Sequence, residues 1–339
     1  MKKVLHIGQM KSGTTYIQNI LCNNRKELSE SGWMYPGDTL NQQHACYGIC
    51  GNDIFWVKEG ERYQARAAKL IDDIYTKKKN IIVSSEALSS LNESGIERFL
   101  EKIGGADEVV VTIRSLYKTL PSAWQQSIKG GGGKSIYDFF SQLALQRPER
   151  LGFWKTYSFG MTVKLWSKFL PVKAIVVPDK PVSKNKLWDD FSDFAGLPSL
   201  SNIEIGGEHS NISLNYEAAE ILRSINRNIR KWKPNANKKY LENFRSYYLN
   251  KFVFPVSDVK RGIKIKIPPE FIDDLATWSE PEVELLQKHA YSISGNVSCL
   301  ELNEDGCLDP KLPKPTKILA EIGFQIVSLY DRESLLEVH

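Results

Sequence analysis

The chain has 339 residues, enough for one large α/β domain or two smaller ones. Hydrophobic residues make up 42% and charged residues 25%, with 8 Trp, 14 Tyr and 14 Phe, so a sizeable core is expected and a disordered chain is excluded. The net charge of +5 is mild; it suits an anionic small ligand or an acidic glycan and argues against a nucleic-acid binder, whose basic residues crowd one face, because the densest runs here (residues 77–79 and 260–266) are short.

Residues 4–7 form a short apolar run of strand type, followed by a glycine-containing loop at 8–14. Residues 16–28 carry Ile17, Ile20, Leu21 and Leu28 near helical spacing, which makes the opening strand, loop, helix. Residues 31–60 are mostly polar and predict loops and short pieces, and 61–75 an amphipathic helix through Ala65, Ala68, Ile71 and Ile74. Ile81, Ile82 and Val83 form a second buried strand ending at Ser84-Ser85-Glu86, with a helix after it at 94–103. Residues 109–113 are the strongest strand and end at Arg114. Residues 117–128 are helical, with Pro121 expected in the first turns where proline is tolerated. The run of glycines at 130–133 predicts a mobile segment, either a lid hinge or a flexible loop. Further helices are expected at 136–145, 157–169, 187–194, 215–230 and within 269–286, and a fourth strand at 174–177. Strands alternating with helices predict an α/β fold with a doubly wound parallel sheet flanked by helices, and short apolar strands fit a sheet buried on both faces. The tail beyond about residue 295 is broken by Pro310, Pro313 and Pro315 before a last helix at 318–336.

Cys22, Cys46, Cys50, Cys299 and Cys307 are odd in number and show no CxxC spacing, which argues against a disulfide framework or a structural zinc site and for a reducing compartment. The opening apolar run is too short for a signal peptide, and no stretch of about 18 apolar residues exists. The expectation is a soluble cytoplasmic protein with no membrane span.

The first loop is Gly8-Gln9-Met10-Lys11-Ser12-Gly13-Thr14-Thr15-Tyr16. A glycine loop between a strand and a helix makes a backbone anion site, because the helix N-terminus presents N–H groups and a positive dipole end. Against the triphosphate pattern G-x-x-x-x-G-K-[ST], Gly8 and Gly13 have the right separation and Thr15 sits at the magnesium-binding hydroxyl. The lysine position, however, holds Thr14, and the lysine has moved inside the loop as Lys11. That change has chemical sense for a single 5′-phosphate bearing a leaving-group oxygen, and none for a reach toward β and γ phosphates.

Lys11-Ser12-Gly13-Thr14-Thr15-Tyr16 resembles the 5′-phosphosulfate loop, PKSGTTW, of sulfotransferases that use 3′-phosphoadenosine 5′-phosphosulfate (PAPS). Met10 stands for the proline and Tyr16 for the tryptophan, and an aromatic Tyr16 keeps contact with the adenine feasible. In the family a central strand ends in an arginine with a serine eight positions on, and both hold the 3′-phosphate. Here Arg114 ends the strongest strand and Ser122 follows at that spacing. A guanidinium suits a phosphate through paired N–H donors, and carboxyl ends of central strands are where α/β sheets bind ligands. Two ordered motifs, each after a strand, are far more specific than either alone; singly, Arg114 is equally a surface ion pair and Ser122 a hydroxyl of a helix start. The resemblance extends more weakly through 157–178, 187–197 and 211–226, the last being similar to bacterial carbohydrate-type members. The family's C-terminal glycine-and-lysine motif has only a weak counterpart, Lys260-Arg261-Gly262. The resemblance implies a P-loop-NTPase-like sulfotransferase fold, a sulfotransferase domain over 1–295 with a C-terminal extension over 296–339 packed on it, PAPS as co-substrate with 3′-phosphoadenosine 5′-phosphate (PAP) as product, no metal, and Lys11, Ser12, Gly13, Thr14, Thr15, Tyr16, Arg114 and Ser122 as donor-site residues.

Sulfuryl transfer needs in-line positioning, charge stabilisation and a base for the acceptor hydroxyl. Glu86, at the end of the second strand, is the first base candidate, with a helix-start carboxylate as the equal structural alternative. His44, in the polar stretch 41–44, is the second, although an ordinary surface histidine is the commoner case. His6, inside the first strand, reads as a core histidine. Trp124, Gln125 and Gln126 line either an acceptor pocket or the helix packing. The acceptor itself, a small molecule or a glycan, is not legible, nor is the oligomeric state. Two other functions compete: a P-loop nucleotide or small-molecule kinase using ATP and Mg²⁺, and a nucleotide-binding homologue without turnover.

Overall fold

The computed structural model describes residues 1–147, 152–178, 183, 185–201, 203, 213–253, 263–301, 307, 322–323, 326–331 and 333. The strands are β1 (Lys3–His6), β2 (Trp33–Met34), β3 (Asn80–Ser84), β4 (Glu108–Ile113), β5 (Val172–Val176) and β6 (Ser292–Ser294). The helices are α1 (Thr14–Asn23), α2 (Arg25–Glu30), α3 (Gln43–Cys50), α4 (Gln64–Thr76), α5 (Glu93–Ile103), α6 (Leu116–Lys129), α7 (Ile136–Gln146), α8 (Trp154–Tyr157), α9 (Phe159–Trp166), α10 (Lys186–Ala195), α11 (Tyr216–Trp232), α12 (Lys238–Tyr248) and α13 (Ile272–His289).

All six strands pair in parallel, in the order β2-β3-β1-β4-β5-β6. The register Val4↔Ile82 and His6↔Val110 places β1 between β3 and β4. Strand side chains alternate between faces. Val4, Ile82, Val110 and Ile175 share one face with Ile17, Ile20 and Leu21 of α1 and Trp188, Phe191 and Ala195 of α10. The alternate positions Leu5, Val83, Val109, Val111 and Ala174 are equally buried, and α9 packs on β4 and β5. A parallel sheet covered on both faces explains why its strands read as continuous apolar runs.

The chain divides into two compact units. The first comprises Met1–Thr119, Gln146–Gly206 and Leu275–Leu302 and contains the whole sheet. The second comprises Leu120–Leu145, Gly207–Asp274 and Asn303–His339, and its described elements are helical. The first cut falls within α6, between Thr119 and Leu120.

Several boundaries differ from the sequence reading, each for a local reason. The predicted helix over 16–28 is two helices: the Asn24 side chain donates to the Ile20 carbonyl at 2.8 Å and ends the first. Pro121 lies in the interior of α6 rather than at its start. The glycines after α6 are tied down. Gly132 N–H donates to Ser127 O at 2.8 Å and Gly131 N–H to Ile128 O at 3.0 Å, with Gly131 at φ 99°, a Schellman cap. The Asn226 amide adds donors to Ile128 O and Gly132 O. The predicted helix over 318–336 falls largely outside the described residues, as do Pro310, Pro313, Pro315 and Lys260-Arg261-Gly262. No described helix is long and apolar enough to cross a membrane.

Candidate functional site

The site is built on the carboxyl ends of β1, β3 and β4. Strand order reverses at β1: the chain leaves it toward β3 and returns to β4 on the other side. Such a switch point opens a crevice between successive loops.

The loop after β1 stays docked along β4. Ile7 N–H donates to Val110 O at 3.1 Å and Gln9 N–H to Thr112 O at 2.8 Å. Gly8 is required by space, since a Cβ there would lie 2.1 Å from Thr112 Oγ1 and 2.4 Å from Thr14 Cγ2. Lys11, at φ 70°, is the only non-glycine with positive φ among the described residues. Gly13, at φ 88°, is the N-cap of α1, and no side chain caps the helix there. Gly13 thus turns the backbone directly into α1, whose first turn carries no side-chain cap.

Buried polar groups support the loop. The Ser12 hydroxyl donates to Gln9 O at 2.5 Å and lies 2.8 Å from Thr112 Oγ1, so it is engaged inside the protein. His6 is fully buried with Nδ1 at 2.8 Å from Ser84 Oγ and Nε2 at 3.3 Å from Thr112 Oγ1. Burial pushes its pKa down to about 3, so the ring is neutral. Gln9 was not singled out in the sequence, yet it joins three segments. Its carbonyl accepts from Arg114 N–H at 3.1 Å and its amide donates to Tyr157 O at 2.9 Å. The available signal was a long amide inside a glycine loop.

Charge gathers where the loop meets β3. Ser85 N–H donates to His6 O at 3.0 Å, which carries β3 past its last strand residue and presents Glu86. The Thr14 hydroxyl donates to Glu86 Oε1. Burial lowers the Lys11 pKa, and the Glu86 carboxylate opposes that shift. Lys11 and Thr14 of the loop are thus brought together with Glu86, which is distant in sequence. Thr15 and Tyr16 are half-buried at the start of α1. Burial raises the Tyr16 pKa, with Asp189 adding to it.

Arg114 is half-buried at the end of β4 in the first unit, and Ser122 is half-buried in α6 in the second. His44 is exposed on α3. It stacks on Tyr63 with centroids 4.9 Å apart at 14°, and Arg66 Nη1 donates to its Nδ1 at 2.5 Å. Partial burial, then Arg66 and Arg62, lowers its pKa. Because a guanidinium only donates, the lone pair of the neutral ring faces Arg66 and Nε2 carries the proton. Trp124 and Gln125 are buried within the second unit, where the Trp124 indole donates to Lys134 O and the Gln125 amide to Leu214 O, while Gln126 is exposed. Among the described residues, no group of three His, Cys, Asp or Glu side chains is arranged to hold a metal ion.

No family model matches the chain, and no curated protein sequence matches it.

Proposed function

We propose that the protein is a sulfotransferase of P-loop-like fold that moves a sulfuryl group from PAPS to an acceptor hydroxyl, with a carbohydrate as the favoured acceptor. The observation that carries the reading is the grouping of Lys11, Thr14 and Glu86 at the carboxyl edge of a parallel sheet. The glycine loop and the start of α1 without a side-chain cap support a backbone anion site for the donor's 5′ end. Arg114 at the end of β4 supplies the guanidinium expected for a 3′-phosphate.

The chemistry follows from these residues. The acceptor oxygen forms a bond to sulfur as the bond from sulfur to the bridging phosphate oxygen breaks. The leaving phosphate takes that electron pair, and Lys11 offsets the charge that develops on it. Glu86 accepts the proton of the acceptor hydroxyl. Thr14 orients the carboxylate through its hydrogen bond. Glu86 is favoured over His44 because it shares the loop's polar cluster, whereas the His44 lone pair is directed at Arg66. The kinase alternative expects a lysine at position 14, where a threonine bonded to Glu86 stands.

The direct test is to incubate the protein with PAPS and a mixture of glycans and quantify PAP released and sulfate bound. Lys11→Ala should lower turnover by about 10²-fold or more while weakening PAP binding far less. Equal loss in both would make Lys11 a simple binding residue, and no transfer to any hydroxyl would contradict the proposed activity.

A further inference from the structure

We infer that a cleft beside α3, lined by Tyr47, Trp56, Arg62 and Tyr63, is the docking site for a sugar ring of the acceptor. The acceptor role rests on the proposed sulfotransferase activity; the binding of a sugar does not.

The cleft has a volume of about 290 Å³ and lies wholly within the first unit. That is close to the small end of ligand pockets, room for one ring while the rest of a chain runs out to solvent. Its walls combine flat rings with hydrogen-bonding groups. Trp56 is half-buried and meets Tyr47 and Phe55 edge to face, at 79° and 87°, and no described ring stacks parallel on its indole. Tyr63 already lies between His44 and the Arg62 guanidinium, 4.6 Å from its centroid. Trp56 therefore contributes an aromatic wall to the cleft that is not already sandwiched as Tyr63 is.

The polar inventory points the same way. Tyr47 is 8% exposed, and its hydroxyl receives hydrogen bonds from Trp56 Nε1 at 2.8 Å and from the Gln43 amide. A phenol oxygen has two acceptor sites and one proton. With both sites filled, the Tyr47 proton is left to donate. If the Gln43 amide is turned over, Tyr47 donates to it and both Gln43 N–H groups remain. With the amide as placed, the Tyr47 proton is a donor in the cleft wall. Lys58, Glu59 and Arg62 add charged groups to the lining, with Arg62 paired to Glu59 at 3.8 Å and donating to the Tyr63 hydroxyl. A pyranose has this mixed character, an apolar C–H face and a girdle of hydroxyls, while a simple phenol offers one hydroxyl to so many groups. α3, which carries Tyr47, packs on the turn that begins with Glu86, and the Glu86 carboxylate is among the weaker influences that raise the Tyr47 pKa, after burial and Tyr63.

The test is saturation-transfer NMR on the full chain with cellotetraose, chitotetraose, maltotetraose and 4-nitrophenol, each with and without PAP, alongside PAP-induced thermal shift. The expected result is binding of at least one oligosaccharide, weakened about tenfold in Trp56→Ala and Tyr47→Phe and retained within about threefold in Trp56→Phe, with the PAP shift unchanged in all three. Sugar binding without any PAP shift supports the cleft and sinks the donor reading. Binding of 4-nitrophenol alone, binding of no sugar, or sugar binding indifferent to Trp56→Ala overturns the inference.

Discussion

Lys11 occupies a conformation that glycine adopts at no cost and other residues adopt at roughly 1–2 kcal/mol. Burial also works against its charge, with Glu86 giving partial relief. On the proposed function, the lysine stands there for its chemistry rather than for stability. Lys11→Gly should therefore leave thermal stability unchanged or raise it by about 2 °C, while turnover collapses; a clear loss of stability would make Lys11 structural. His6 is the converse case, a polar residue with a buried supporting role. Its folded pKa lies below its unfolded value, so its stability contribution is present above about pH 6.5 and is lost as pH falls toward about 3. At pH 5 the loss is about 2 kcal/mol. His6→Gln should flatten this acid limb in denaturant titrations at stepped pH, and an identical pH profile would show that His6 does not titrate as described. Arg114→Ala should abolish the preference for PAP over 5′-AMP in calorimetry; an unchanged preference would remove the 3′-phosphate role from Arg114.

Among the elements, the loop after β1 is held by packing as much as by hydrogen bonds. Gly8→Ala places a methyl against Thr112 and Thr14, so it should destabilise by about 1–3 kcal/mol and disable nucleotide binding; a folded variant with normal PAP affinity would show that the loop relaxes freely. The buried β1, β3, β4 and β5 were legible because each is a continuous apolar run. β2 and β6 were not, since two or three residues with polar neighbours carry no periodicity and take their strand character from the edge they join. α3 was hidden in the polar stretch, where only Ala45, Cys46, Tyr47 and Cys50 mark its inner face. α12 was also missed, although Asn237 caps it by accepting from Tyr240 N–H at 2.8 Å and Phe244 and Tyr248 line its buried side. The glycine run at 130–133 looked mobile because composition alone cannot distinguish a hinge from a Schellman cap. The loop residues Lys11 to Tyr16 were legible as a local pattern. The meeting of Thr14 with Glu86, and the role of Gln9, depend on strand order and were not.

For the whole molecule, the sheet order brings the β1 loop, Glu86 and Arg114 to neighbouring strand ends, which is what an anionic ligand with two phosphate positions requires. The division into two units was not legible, because the second is gathered from three separate segments, of which only the Pro-broken tail announces itself in the sequence. The central claim is that this edge holds a 3′-phosphorylated nucleotide. Thermal unfolding with PAP, 5′-AMP, and ATP with Mg²⁺, side by side, tests it most directly, since a ligand at about a hundred times its dissociation constant adds about 2.7 kcal/mol of stability. A shift with PAP and none with the other two is the predicted result. A shift with ATP and Mg²⁺ alone would contradict the account and put the kinase reading in its place.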